Sequence, residues 1–271
     1  MIRFTPENHK YESIKLEDQL DWISVTSIVS HFKQPFDPKT QAVKSSKNKK
    51  SKWHGITPEE VESIWKREGI RSTVLGNWYH DQRENDVTDF KTIEREGIEL
   101  PVVKPLFDNG IKIAPSQVLE TGIYPEHLVY LKSAGICGQS DRVEVIGNRI
   151  KISDYKTNKK IEMQGFTSWD GVTKKLSGPL SHLDDCHIVH YGLQLSIYMY
   201  IILKHNPRLK AGKLTIQHVS FESEGDNEFG YPITKYSAEG DPIIKDITNY
   251  EVPYMKEEVL TMINWLKDNK K

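Results

Sequence analysis

Apolar and polar positions along this chain follow two periods, and each change of period marks an element. SVTSIVSHF at 24 to 32 fits a short helix with Ser24 or Thr26 near its start. TPEEVESIWKREG at 57 to 69 is a second helix: Thr57 caps it, Pro58 sits in its first turn, Glu60 completes a capping box and Gly69 stops it. A third helix is expected over about 71 to 86, then strands near 101 to 106, 111 to 120 and 127 to 133. YGLQLSIYMYIIL at 191 to 203 is apolar over several turns. Its 13 residues fall short of the roughly 20 a membrane span needs, so it reads as a buried helix. A strand at about 213 to 221 and a helix at 254 to 268 complete an α/β pattern. With no internal repeat and no long linker, the chain is expected to be one domain over 1–271: a helical N-terminal part (1–70) with a basic loop, a core (71–221), and a C-terminal extension with its helix (222–271).

GQSDRVEVIGNRIKISDYKTNK, 138 to 159, reads as a hairpin about the two-residue turn Gly147-Asn148. Counting outward, Ile146 faces Arg149, Val145 faces Ile150, Val143 faces Ile152 and Asp141 faces Asp154. Val143, Val145, Ile150 and Ile152 share one face with both acids, while Arg142, Glu144, Arg149 and Lys151 share the other. The acids therefore sit on the core side, with Cβ atoms about 4.5 to 5.5 Å apart, where like charges destabilise. A shared proton, a cation from the protein or a bound divalent metal would each offset the repulsion. Lys156 is in phase with Asp154 if the strand continues, and is the protein's own candidate cation. A metal accounts for more: converging carboxylates suit Mg²⁺ or Mn²⁺, which take oxygen ligands and keep waters for exchange with phosphate oxygens. Beside such an ion Lys156 is placed to hold or deprotonate a water, or to stabilise charge building on phosphorus.

Composition narrows the class without choosing the chemistry. The hydrophobic fraction is only 37%, but abundant Tyr, Trp and Phe supply large bodies for a core. A net charge of −1 gives no global attraction to nucleic acid, so polyanion binding rests on local patches such as KSSKNKKSK at 44 to 52, with Lys47, Lys49, Lys50 and Lys52. Two cysteines, Cys137 and Cys186, are too few for a disulfide framework or a four-cysteine iron–sulfur cluster. The N-terminus has no apolar run of signal-peptide type, so no membrane association and a cytoplasmic location are the default expectations. HLDDCHIVH at 182 to 190 has residue types that suit zinc but no paired ligand spacing, and reads as the loop leading into the buried helix.

The arrangement Asp141, strand, turn, strand, Asp154-Tyr155-Lys156 resembles the PD-(D/E)XK nuclease core in its RecB-type form. GNWYHDQRE at 76 to 84 is similar to the family's upstream G-x-x-x-H-x-x-x-E helix, and YGLQLSIYMY at 191 to 200 to its downstream Q-x-x-x-Y helix. His80 and Glu84, four apart, share one helical face; Tyr191, Gln194 and Tyr198 share another. The resemblance implies a restriction-endonuclease-like core, a mixed central β-sheet flanked by helices, with its site at the splayed hairpin end. It implies a Mg²⁺- or Mn²⁺-dependent deoxyribonuclease whose metal is held by His80, Asp141, Asp154 and the Tyr155 carbonyl. Glu120 is an additional ligand in this reading, preferred to Glu126 and Glu144. Lys156 assists hydrolysis, and Gln194 and Tyr198 orient the lysine or contact the DNA backbone.

The motif opens with Ser153 where relatives have Pro, which is not a ligand, and the cluster-bearing subclass is excluded by cysteine count. The N-terminal arrangement resembles phage-type exonucleases. That favours an exonuclease over an endonuclease, acting in DNA replication, recombination or repair, with a single-strand-binding or recombination protein as a possible partner and an oligomer left open. The alternative is a non-cleaving nucleic-acid-binding or replication-complex subunit on the same scaffold. Two opposed acids argue against it, because they repel phosphate unless a cation lies between.

Overall fold

In the computed structural model, which describes residues 1–6, 10–15, 19–168 and 170–269, the chain opens with strands. β1 (Ile2–Thr5), β2 (Lys10–Ser13) and β3 (Ile23–Ser24) occupy a segment expected to be helical. Ile2 and Phe4 alternate with exposed Arg3 along β1, the period of a half-buried strand. α1 (Val25–His31) starts at Ser24, whose hydroxyl accepts from Ser27 N at 3.1 Å. α2 (Pro38–Lys47) starts at Asp37 and ends in the basic stretch, so the loop expected over 44 to 52 is partly helix.

α3 (Pro58–Thr88) is one helix of 31 residues where the sequence predicts two. The Thr57–Glu60 capping box starts it. Glycine inside a helix costs about 1 kcal/mol relative to alanine. That is too little to break a helix anchored by buried Val61 and Ile64 before Gly69 and by Leu75 and Tyr79 after it.

A hairpin, β4 (Thr92–Arg95) and β5 (Ile98–Pro101), precedes β6 (Leu106–Asp108) and β7 (Ile111–Ile113). The last two join the N-terminal strands in a small sheet of order β2-β1-β7-β6. The strand expected over 111 to 120 is therefore short, and the long strand before the hairpin is β8 (Gly122–Leu131). β9 (Ile136–Ile146) and β10 (Arg149–Lys156) turn at Gly147, whose φ of 58° is left-handed. α4 (His187–His205) then crosses to β11 (Lys210–Phe221), parallel to β10. β12 (Ser223–Asp226) and β13 (Pro232–Thr234) form a small hairpin, and β14 (Ile244–Val252) and α5 (Lys256–Asn269) end the described chain.

The main sheet runs β14-β11-β10-β9-β3, with β8 also on β9, and mixes parallel and antiparallel pairs. Val143, Ile150, Ile152 and Ile216 on one face pack with Ile28 of α1, Leu193 and Ile197 of α4 and Val259 of α5. On the other face Tyr155 and Val219 pack with Tyr79 of α3. The protein is thus α/β, a mixed sheet flanked by helices. None of its described helices is long and apolar enough to cross a membrane.

Two irregularities open this sheet at one point. β3 pairs with β9 at residues 136–137, and β10 pairs with it at 142–146. Residues 138–141 between them have no ladder partner on that edge among the described residues. Meanwhile Ile136 and Val143, an odd number of residues apart, lie in the same core cluster, as do Tyr124 and Val129 of β8. The alternation therefore changes phase in both strands. Glu126, at that change, has φ of 46°, uncommon for a residue with a side chain.

Candidate metal centre and active-site cleft

Three carboxylates lie in one rank across three neighbouring strands. Pro125 pairs with Arg142 and His127 with Ser140, so Glu126 lies opposite Asp141; the last β9–β10 pair, Arg142 with Ser153, places Asp154 in the next position beside Asp141. The ladder stops at that pair. Instead, Asp141 Oδ2 accepts the Tyr155 N–H at 2.7 Å. A side chain thus takes over from the backbone where the hairpin splays. Asp154 is 1% exposed and Asp141 9%, so both acids are largely shielded from water.

α3 brings His80 to this rank, with Nδ1 3.6 Å from both Glu126 Oε1 and Asp141 Oδ2. One ligand atom from each of His80, Glu126 and Asp141 lies within 4.8 Å of the others, a spacing that suits a shared cation. Glu126 Oε2 accepts from Gln139 Nε2, whereas Glu126 Oε1 is buried and receives no hydrogen bond among the described residues. Buried oxygens of this kind are costly unless something fills them. Two carboxylates and an imidazole form a donor set that Mn²⁺ or Mg²⁺ accepts.

Asp154 is held differently. Its Oδ1 accepts from Gln194 Nε2 at 3.2 Å, and its Oδ2 forms an ion pair with Lys156. Lys156 Nζ also donates to the Tyr155 carbonyl at 3.3 Å and lies 4.9 Å from the centre of the Tyr191 ring. Gln194 Nε2 is 3.5 Å from the Tyr198 hydroxyl. The Tyr198 ring lies over Gly138, where a Cβ would stand 2.8 Å from ring carbon Cε1, closer than packing allows. Gly138 is therefore what admits Tyr198 to the cleft. His80, Glu126, Asp141, Asp154, Lys156, Gln194 and Tyr198 line a cleft of about 490 Å³, together with Lys112 of β7 and Glu84 of α3, which lie 3.4 Å apart.

Burial opposes charge on His80, but Asp141 and Glu126 outweigh it and raise the imidazole from 6.5 to about 9. Burial raises Asp154 to about 6 despite Lys156, and raises Asp141 despite His80. Burial likewise opposes charge on Lys156, which Asp154 and Asp141 nonetheless hold above its ordinary value. The acids thus favour the charged forms of the imidazole and the ammonium.

The structure brings together His80, Asp141, Asp154, Tyr155, Lys156, Gln194 and Tyr198 from four elements. Glu120 is not with them. It is exposed and precedes β8, with its backbone N–H and C=O both bonded to the Tyr124 hydroxyl at 2.9 and 2.8 Å. Glu126, passed over in the sequence, lies beside His80 and Asp141 instead, because the phase change turns it into the cleft. Pro125 inside a strand was the available signal, since proline there marks an irregularity. Glu144 points away from the site, to Arg95 at 3.2 Å and to Arg142.

Lys47, Lys49 and Lys50 are exposed, and none lines the cleft. Lys52 is committed elsewhere, donating to the Phe229 carbonyl and lying 4.6 Å and 4.5 Å from the Trp53 and Tyr231 rings. The histidines of 182 to 190 also disperse: His190 to Asp185 at 2.7 Å, His187 and His182 to Glu162 and Glu258 at 3.8 Å and 3.7 Å, with Cys186 at the start of α4.

No family model and no curated protein matches the chain. It is similar to a solved structure described as "Crystal structure of SSO0001", at 14% identity over 96% of this chain and 80% of that one, with a TM-score of 0.32. A likeness at that level carries no argument about fold or function.

Proposed function

We propose that this protein is a divalent-metal-dependent deoxyribonuclease with a restriction-endonuclease-like core, acting as an exonuclease in phage-type DNA replication, recombination or repair. One observation carries the reading: three buried carboxylates converge with a histidine and a lysine where the sheet opens. A core gains nothing from such a group, because each buried charge costs desolvation energy and the acids repel one another. A cation and a phosphate would turn that cost into binding.

His80, Glu126 and Asp141 would hold Mg²⁺ or Mn²⁺, with Asp154 next to them. When bound, the ion would lower the pKa of a coordinated water and stabilise negative charge on a phosphodiester. The chain's own groups do the rest. Asp141, by accepting the Tyr155 N–H, ties the two hairpin strands together at the point where their ladder ends. Gln194 fixes the Asp154 carboxylate through Oδ1, leaving Oδ2 to the lysine. Lys156 Nζ, a donor without acceptor capacity while protonated, orients a water or stabilises charge on a non-bridging phosphate oxygen. Tyr191 restrains that ammonium from the ring side.

The test is digestion of end-labelled linear DNA and of covalently closed circular DNA with Mg²⁺, with EDTA and Lys156→Ala as controls. Mg²⁺-dependent loss of the linear form alone, abolished by Lys156→Ala, is the expected result. Cutting of the circle would make the protein an endonuclease. No cleavage with Mg²⁺ or Mn²⁺ would sink the catalytic reading in favour of a scaffold that only binds DNA.

A further inference from the structure

A second cavity, of about 280 Å³, lies immediately beyond the cleft along α3. Ser72 and Leu75 line this cavity, Asn77 and His80 line the cleft, and Gly76 stands between them. The strand side divides in the same way. Lys156 lines the cleft and Thr157 the cavity, and a Cβ at Gly76 would lie 3.4 Å from Thr157 Oγ1, so α3 and the residue after β10 come close at the partition. A chain passing along α3 through one recess therefore meets the other.

The lining favours a flat ligand with an apolar face and a polar edge. Leu75, Phe221, Tyr231 and Pro232 offer apolar and aromatic surface, while Arg71 and Asn158 offer hydrogen-bonding groups. Arg71 is set in place by Glu68 at 2.9 Å and Thr234 at 3.1 Å, and Asn158 by the Tyr191 hydroxyl at 2.8 Å. These groups are fixed before any ligand arrives. Two ammonium groups flank the Tyr231 side: Lys52 lies over that ring, and Lys159 Nζ donates to the Gly230 carbonyl at 3.2 Å. The volume is close to the roughly 300 Å³ lower limit of small-molecule sites, enough for one base and too small for a stacked duplex.

We propose that this cavity binds a single unpaired nucleobase of the strand whose phosphate occupies the cleft, so that the site takes DNA that is single-stranded or frayed at the reacting end. The proposal rests on the nuclease reading for its strand but not for its test. A base in the cavity exposes its face to Phe221 or Tyr231, and stacking of that kind is sequence-tolerant because every base has a π-face. A base still inside a duplex cannot reach a recess of this size without leaving its stack.

The experiment uses short single-stranded oligonucleotides carrying 2-aminopurine at successive positions, bound to the full chain with Ca²⁺ in place of Mg²⁺. Fluorescence is expected to change at one position only, and to change little when that position is paired in a duplex. Ser72→Trp, which sets an indole at the exposed rim of the cavity, should abolish that change and weaken binding about tenfold, the scale of one lost base–aromatic stack. An abasic nucleotide at the same position should weaken wild-type binding equally, without any change to the protein. Uniform fluorescence at all positions, or a position-specific signal that Ser72→Trp leaves intact, overturns the proposal. Cleavage is scored separately: absence of hydrolysis with Mg²⁺ defeats the nuclease reading, while the fluorescence series still decides the base site.

Discussion

Asp141 Oδ2 accepts the main-chain N–H of Tyr155 at 2.7 Å, so the carboxylate on one hairpin strand holds the backbone of the strand that carries the other. The contact substitutes for the ladder bond the hairpin gives up. It also means that substituting Asp141 tests architecture and chemistry together. Asp141→Asn keeps an oxygen acceptor for the Tyr155 amide while removing one of the clustered charges. We expect the variant to be as stable as the wild type or more so in EDTA, by up to about 1 kcal/mol, because repulsion among buried acids is relieved. Stabilisation by Mg²⁺ should disappear. Thermal unfolding of both proteins with and without the ion checks this, and marked destabilisation in EDTA would show that the charge, not the acceptor, holds the hairpin.

Glu126 and Glu120 give opposite expectations. Only Glu126 lies with His80 and Asp141. At a metal concentration a hundredfold above Kd the wild type should gain about 2.7 kcal/mol. Glu126→Gln should lose most of that gain, and Glu120→Gln should retain it. Equal behaviour of the two variants would remove Glu126 from the proposed metal site.

The histidine sets a pH window. Its folded value is raised from 6.5 to about 9, so its contribution to stability is complete below 6.5 and lost as pH rises through about 9. Asp154, raised from 3.8 to about 6, runs the other way: its cost is absent below 3.8, grows up to about 6 and stays constant above. Of these two groups, only the histidine varies from pH 7 to 9. Melting temperature in EDTA should fall over that interval and flatten in His80→Gln, while metal affinity rises by up to about tenfold per pH unit as the imidazole gives up its proton.

Gly138 offers a steric test. Alanine there would press on Tyr198 and, 3.2 Å away, on Val25 Cγ2, for a loss of about 1–3 kcal/mol. Combining Gly138→Ala with Tyr198→Ala should recover part of that stability, which chemical denaturation of the single and double variants would show. Simple additivity would mean that the glycine serves something other than the tyrosine.

The basic stretch divides in two. Replacing exposed Lys49 and Lys50 should reduce the salt dependence of single-strand binding, by about 0.7 in log–log slope for each lysine that contacts phosphate, with little effect on stability. Lys52→Ala should instead lower stability, since its ammonium ties the segment around Trp53 to Tyr231 and the Phe229 carbonyl. Salt titrations of DNA binding and thermal melts of the variants separate the two roles.

Much of this site was legible because its determinants are local. The hairpin register follows from a two-residue turn and a period of two, and the structure keeps that register from Ile146–Arg149 to Val143–Ile152. The start of α1 at Ser24 and the capping box of α3 were equally readable, being bonds between residues three apart. Gly69 misled because a propensity of about 1 kcal/mol is smaller than the burial that surrounds it.

What the sequence by itself determined was which residues each strand and helix presents, and on which face: Asp141 with Asp154, Gln194 with Tyr198. Only the tertiary structure decided which acid comes to meet them. Glu120 and Glu126 are equivalent as residue types six positions apart, and the choice between them depends on where β8 begins, on its phase change and on β3 and β10 sharing one edge of β9. The β3–β9 contact among them joins segments more than a hundred residues apart. No local period encodes them, because their energy belongs to the packed sheet rather than to any stretch of chain.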